Sequence, residues 1–160
     1  MSAIAVPRSA TVEARTSLAL ASLSAGLIHV MAGFHHWTEW WLFGVGMFVM
    51  AVTQLAAAAA LGFTGNRLAL VATIVINVPI VALWVWSRTF GLPFGPEPGE
   101  AESIGIPDAV CTLTELVLVG GVFALLLGVS ERALKRWSTV ALAAFAIGAM
   151  TGFGHVGHEH

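Results

Sequence analysis

Five long apolar runs constrain this chain more than any other feature: residues 17–34, 40–63, 68–86, 108–129 and 138–155. Each approaches the ~20 residues with which an α-helix, rising 1.5 Å per residue, crosses ~30 Å of hydrocarbon. The last is at the short end of that range. No strand-like alternation competes, and alanine- and leucine-rich runs suit helices. Charged residues make up only 10% of the chain, against roughly 25% in a soluble domain, so the polar surface needed to coat a core in water is missing. The expectation is an all-α integral membrane bundle of about five transmembrane helices. Residues 1–16 and the His-rich tail, residues 156–160, flank it. The first run follows Arg8 and Arg15 but ends in His35-His36-Trp37 rather than in small residues of a cleavage site. It is therefore expected to stay as a span rather than leave as a signal peptide.

Orientation follows from the basic residues. With five spans, Arg8, Arg15, Arg67, Arg132, Lys135 and Arg136 all fall on one side and only Arg88 on the other. The basic side is expected to be cytoplasmic, which puts the amino end inside and the carboxyl end outside, in a cell membrane. All the histidines, and every acid but Glu13 and Glu131, lie toward the outer end. Tryptophans mark the same levels: Trp37, Trp40, Trp41, Trp84 and Trp86 at outer span ends, Trp137 at an inner one, where amphipathic rings settle among headgroups. Thr64-Gly65-Asn66 has the composition of a tight turn, which makes the second and third helices an antiparallel hairpin. Pro79 is expected to kink the third helix, with Asn77 bonding backbone groups so freed. Gly148 and Gly152 form a small-x-x-x-small pair for close packing of the fifth.

Ionisable residues inside hydrocarbon cost about 2.5–3.5 kcal/mol or more, so they face the bundle interior and pair. His29 and Glu115 are two such residues, each about seven positions below the outer end of its run. His29 and His36 share a helix face, as do Asp108, Thr112 and Glu115. The expected picture is two facing columns, with His35 and His155 near their outer ends. Imidazole and carboxylate together suit copper, zinc or iron, so His29, His36, Glu115, Asp108, His155 and His35 are the candidate metal ligands. Met31 and Met150 would add thioethers that favour Cu(I). The competing reading is a structural His–Glu hydrogen bond with surface histidines. Cys111, the lone cysteine, excludes an internal disulfide and a Cys-based zinc motif, and reads as a small buried apolar side chain.

The loop of residues 87–107, Ser-Arg-Thr-Phe-Gly-Leu-Pro-Phe-Gly-Pro-Glu-Pro-Gly-Glu-Ala-Glu-Ser-Ile-Gly-Ile-Pro, is dense in glycine and proline. Such density specifies one irregular path, and a loop of this length is commonly functional. Arg88 is expected to pair with Glu100, Glu102 or Asp108 and to hold the loop as a cap over the His/Glu site.

Four function classes remain open: a metal handler or redox site near the outer face; a non-catalytic subunit or assembly factor of a larger membrane complex, or a homo-oligomer; a proton-coupled carrier using Glu115 and His29; and a haem protein with axial His29 and His155. A net charge of −2 gives no basic patch, which argues against nucleic acid as a partner. No Gly-x-Ser-x-Gly elbow or His-Glu-x-x-His pair occurs, which argues against common hydrolases.

Several stretches resemble a group of small bacterial multi-span membrane proteins of unassigned function. They are His35-His36-Trp37 leading into Trp40-Trp41-Leu42-Phe43-Gly44, then Gln54, then Trp84 through Arg88-Thr89-Phe90-Gly91-Leu92-Pro93-Phe94-Gly95-Pro96, and Glu102, Gly105, Asp108 and Glu115. The resemblance covers most of the first four helices. It implies that the loop and the acidic fourth helix belong together as a unit, and it brings no activity with it.

Overall fold

The computed structural model describes residues 8–154. It consists of five helices: α1 (Arg8–Glu39), α2 (Trp41–Phe63), α3 (Arg67–Thr89), α4 (Ile106–Leu126) and α5 (Glu131–Gly154). Among the described residues, α2, α3, α4 and the Thr11–Glu39 part of α1 are long and apolar enough to cross a membrane. The fifth expected span, residues 138–155, lies mostly within α5, which forms as a helix but is not among these four. His155 and the tail beyond it lie outside the described residues.

α1 is longer than the first apolar run. Its 32 residues extend about 48 Å at helical rise, well beyond a bilayer core, because the polar segment before Ser17 contains good helix formers and no glycine or proline after Pro7. At its far end only Trp40, in an extended conformation, separates it from α2. The corner closes through Trp40 N–H donating to the His36 carbonyl at 2.9 Å and Phe43 N–H donating to the Trp40 carbonyl at 2.9 Å. α1 and α2 then run antiparallel in close approach. A Cβ at Gly44 would lie 2.8 Å from the Trp37 Cα, so only glycine fits there.

The expected α2–α3 hairpin forms. Gly65 takes a left-handed φ of 51°, and the Asn66 side chain caps α3 by accepting from the Ala69 N–H at 2.8 Å. α3 continues through Pro79. Asn77 does not bond the carbonyl that Pro79 leaves without a donor. Its Nδ2 donates to the Thr73 carbonyl at 2.8 Å, and its Oδ1 faces α2.

α1 and α4 form the centre: α1 touches α2, α4 and α5, and α4 touches α1, α3 and α5. One buried cluster draws on all five helices through Leu18, Ala21, Leu61, Leu70, Leu118, Val122 and Ala141. Gly148 sets α5 on Ser24 of α1, where a Cβ would collide with the serine hydroxyl. Outside and inside are reversed relative to a soluble protein. Val52 and Val75 are about two-thirds exposed, whereas Gln54, Thr73, Asn77 and Thr114 have no exposed surface. Apolar residues outward and neutral polar residues inward is the arrangement that lipid as solvent demands.

Candidate metal centre

The interior polar residues come from four helices and meet between α1, α2, α3 and α4. His29 of α1 is ten residues before the end of its helix, or ~15 Å at helical rise. This is deeper than the apolar runs suggest, because α1 continues to Glu39. Glu115 of α4 is nine residues from the start of its own helix, at a matching level. The two side chains approach with His29 Nε2 and Glu115 Oε1 3.9 Å apart, both buried.

Gln54 of α2 is the hub. Its Nε2 donates to Glu115 Oε1 at 2.6 Å and to Asn77 Oδ1 at 3.2 Å. Its Oε1 lies 3.0 Å from His29 Nδ1. The same nitrogen is 3.0 Å from the Ala25 carbonyl. Both neighbours of Nδ1 are acceptors once the amide is oriented by its two donor contacts, so Nδ1 carries the proton and Nε2 presents its lone pair toward Glu115. Ser22 anchors this hub by donating to the Gln54 backbone carbonyl at 2.8 Å. The amide is thus held at both its backbone and its side chain.

Cys111 completes the group. It lies one helical turn from Glu115 on the same face of α4, with Sγ 3.6 Å from His29 Nδ1 and 3.9 Å from Glu115 Oε1. One ligand-type atom from each of His29, Cys111 and Glu115 lies within 4.8 Å of the others. A tetrahedral ion bound at 2.0–2.3 Å spaces its ligand atoms roughly 3.3–3.6 Å apart. The Nε2–Oε1 and Sγ–Oε1 separations, 3.9 Å each, exceed that by about half an ångström, while the shorter Sγ contact is to Nδ1, the nitrogen that carries the proton. Cys111 is buried against Ala25 and Ile28, as its sequence reading as a small buried apolar side chain expected; its spacing of four from Glu115 is the one sequence signal for its place in this group.

The remaining candidates lie elsewhere. Asp108 binds Arg88, which donates to it through Nη2 at 2.6 Å and through Nη1 to Glu102. His36 Nδ1 pairs with Glu39 at 2.7 Å, and His35 Nε2 lies 3.3 Å from the other oxygen of the same carboxylate. Met31 and Met150 are exposed and add no thioether to the buried group. The two facing columns therefore reduce to His29 and Glu115 at depth. Above them, Asp108 belongs to an ion pair with Arg88 and His36 is in hydrogen-bond contact with Glu39.

The loop is tied down at several points. Arg88 bridges α3 to Glu102 and Asp108 with its guanidinium 5.6 Å from the Trp84 ring centroid. The Glu102 N–H donates to the Ser87 carbonyl at 3.1 Å, and the Gly99 N–H to the Leu92 carbonyl at 2.7 Å. Phe94 packs against Trp40 at 6.2 Å and Phe43 at 6.3 Å between ring centroids. Gly91 requires glycine twice over, with φ of 71° and a Cβ position 2.5 Å from the Glu100 carbonyl oxygen. The loop thus joins the α1–α2 corner to α3 and α4 across one end of the bundle.

No protein-family model, curated protein or solved structure matches this chain.

Proposed function

We propose that this chain is a plasma-membrane protein of about five transmembrane helices, its amino end cytoplasmic and its carboxyl end outside. In this reading it holds one transition-metal ion, copper, zinc or iron, at His29, Cys111 and Glu115, for metal handling or redox under the outer loop. The observation that carries this reading is the convergence of imidazole, thiol and carboxylate in the buried interior, with the imidazole already oriented from behind. Metal-bound histidines characteristically donate their second ring N–H to a carbonyl or carboxylate, which fixes the tautomer. The contacts of His29 Nδ1 with Ala25 and Gln54 have that form.

Charge favours a divalent ion. A thiolate, a carboxylate and a neutral imidazole around a dication sum to zero, which minimises the cost of an ion in low dielectric. Cu(I) would leave a net negative charge, and the thioethers that would favour it are absent from the group, so a divalent ion (zinc, ferrous iron or cupric copper) fits best. Three protein ligands leave a coordination position open, as in sites that exchange ligands rather than purely structural ones. The test is the metal content and visible spectrum of untagged, detergent-purified protein beside His29→Ala, Cys111→Ala and Glu115→Gln. About one equivalent of metal, lost in each variant while helicity is kept, supports the reading. Well-folded wild-type protein that takes up no metal from solution refutes it.

A second reading draws on the buried pair His29 and Glu115, with Nε2 and Oε1 3.9 Å apart. Buried acids and histidines serve as proton relays, which suits a proton-coupled carrier. Proton flux into liposomes from metal-free protein, abolished by Glu115→Gln, would favour it over the metal site.

A further inference from the structure

The face of α4 opposite Glu115, at 100° per residue, borders a groove against α5 of about 780 Å³. Leu113, Leu116 and Val117 form one wall, and Val140 and Ala144 the other. Along α5 it runs from Ala133 to Ile147, or ~21 Å at helical rise, which exceeds the ~15 Å depth of one leaflet's hydrocarbon. The walls are apolar except at two points. Thr114 commits its hydroxyl to the Val110 carbonyl at 2.8 Å, which leaves Arg136 as the single charge on the lining. Trp137 forms the floor near that end by lying on Gly120 of α4, where a Cβ would sit 2.5 Å from its ring.

Arg136 also lines an adjoining depression with Arg132, Lys135, Glu131 and Thr139. Lys135 is engaged with Glu131 at 2.9 Å. Arg132 and Arg136 make no ion pair among the described residues. One end of a long apolar groove therefore opens onto two uncompensated guanidinium groups.

We infer that the α4–α5 groove binds an anionic phospholipid of the cytoplasmic leaflet, with an acyl chain along Val117, Val140 and Ala144 and its phosphate on Arg132 and Arg136. The inference goes beyond the metal site and rests only on the bundle lying in a bilayer with its basic end inward. Guanidinium groups suit phosphate because their fixed donor fork matches its oxygens, and basic pockets between helices on the cytoplasmic side are established lipid headgroup sites. A second copy of this chain is a poorer occupant. Facing two arginines, it would have to offer acids at its own basic end, where the described acids are Glu13 and the already paired Glu131.

The experiment is native mass spectrometry of the full-length protein purified from nanodiscs of equal parts phosphatidylglycerol and phosphatidylcholine. Wild-type protein is expected to retain about one phosphatidylglycerol, with phosphatidylcholine several-fold lower. Each arginine near the surface is worth about fivefold, so the Arg132→Gln/Arg136→Gln double variant should lose on the order of 25-fold. Ala144→Trp should lose binding by filling the groove. Arg67→Gln, which removes a charge at the same end but outside the groove, should retain it. Equal retention of both lipids, an Arg67→Gln loss as large as that of the double variant, or undiminished binding in Ala144→Trp would each overturn the assignment. A dimer that carries no lipid would also overturn it. Should a variant fail to fold, wild-type protein still decides the matter. Phosphatidylglycerol with a photoreactive acyl chain must label α4 and α5 peptides around Val117, Val140 and Ala144, and labelling spread evenly over the bundle refutes the site.

Discussion

Replacing Gln54 by leucine removes the hub of the buried site while nearly preserving volume, so hydrogen bonding rather than packing dominates the outcome. Three contacts are lost: the bond to Glu115 at 2.6 Å, to Asn77 at 3.2 Å and to His29 at 3.0 Å. Interhelical hydrogen bonds in membrane bundles average about 0.6 kcal/mol each, which gives about 2 kcal/mol for the three. Of the groups left behind, the buried Glu115 carboxyl carries the largest penalty, about 1–3 kcal/mol. Gln54→Leu should therefore destabilise the bundle by about 3–5 kcal/mol, measured by reversible unfolding in mixed micelles. A double-mutant cycle isolates the strongest contact. Glu115→Leu alone should be costly, and adding Gln54→Leu should cost at least 1 kcal/mol less than the sum of the single changes, because much of the shared contact is already gone. Strict additivity, or a Gln54→Leu penalty below about 0.5 kcal/mol, would refute the claim that this amide organises the interior. The same variant separates positioning from ligation. It leaves His29, Cys111 and Glu115 in place but removes one of the two acceptors that orient the imidazole, so metal affinity should fall about 10–100-fold rather than disappear.

Three further outcomes follow from the geometry. Arg88→Ala should release the loop of residues 90–105 and raise its proteolysis several-fold, and Arg88→Lys should rescue little. A lysine ammonium is a point charge and lacks the planar fork that serves Glu102 and Asp108 at once. Gly44→Ala should cost about 1–3 kcal/mol in thermal or detergent unfolding, since the new methyl meets the Trp37 backbone, whereas Gly46→Ala, facing open space, should be near neutral. Cys111, buried at 6% exposure, should resist a membrane-permeant maleimide in folded protein and react once the protein is unfolded. Fast labelling of the folded wild type would place the thiol at the surface and remove it from the site.

Run length, charge placement and turn composition are local signals, and they sufficed for the five helices, the Gly65 hairpin and the matching depth of His29 and Glu115, and they narrowed the partners of Arg88 to three acids, of which Glu102 and Asp108 are the ones it meets. Each of these depends on counting residues along a chain of known rise per residue. What the sequence by itself left open was azimuth and reach: which face of each helix meets which neighbour, and how far a helix extends past its apolar stretch. The continuation of α1 to Glu39 placed a carboxylate one turn beyond His36 and drew that histidine into a surface pair. Arg88, aimed across from α3, took Asp108 out of the column expected above Glu115. Packing of α2 between α1 and α3 put Gln54, expected to be an ordinary interhelical polar residue, in contact with three others. Cys111 became a candidate ligand only because α4 turns the face it shares with Glu115 toward His29. These are relations between helices, decided by close packing in three dimensions, and no periodicity within a single run encodes them.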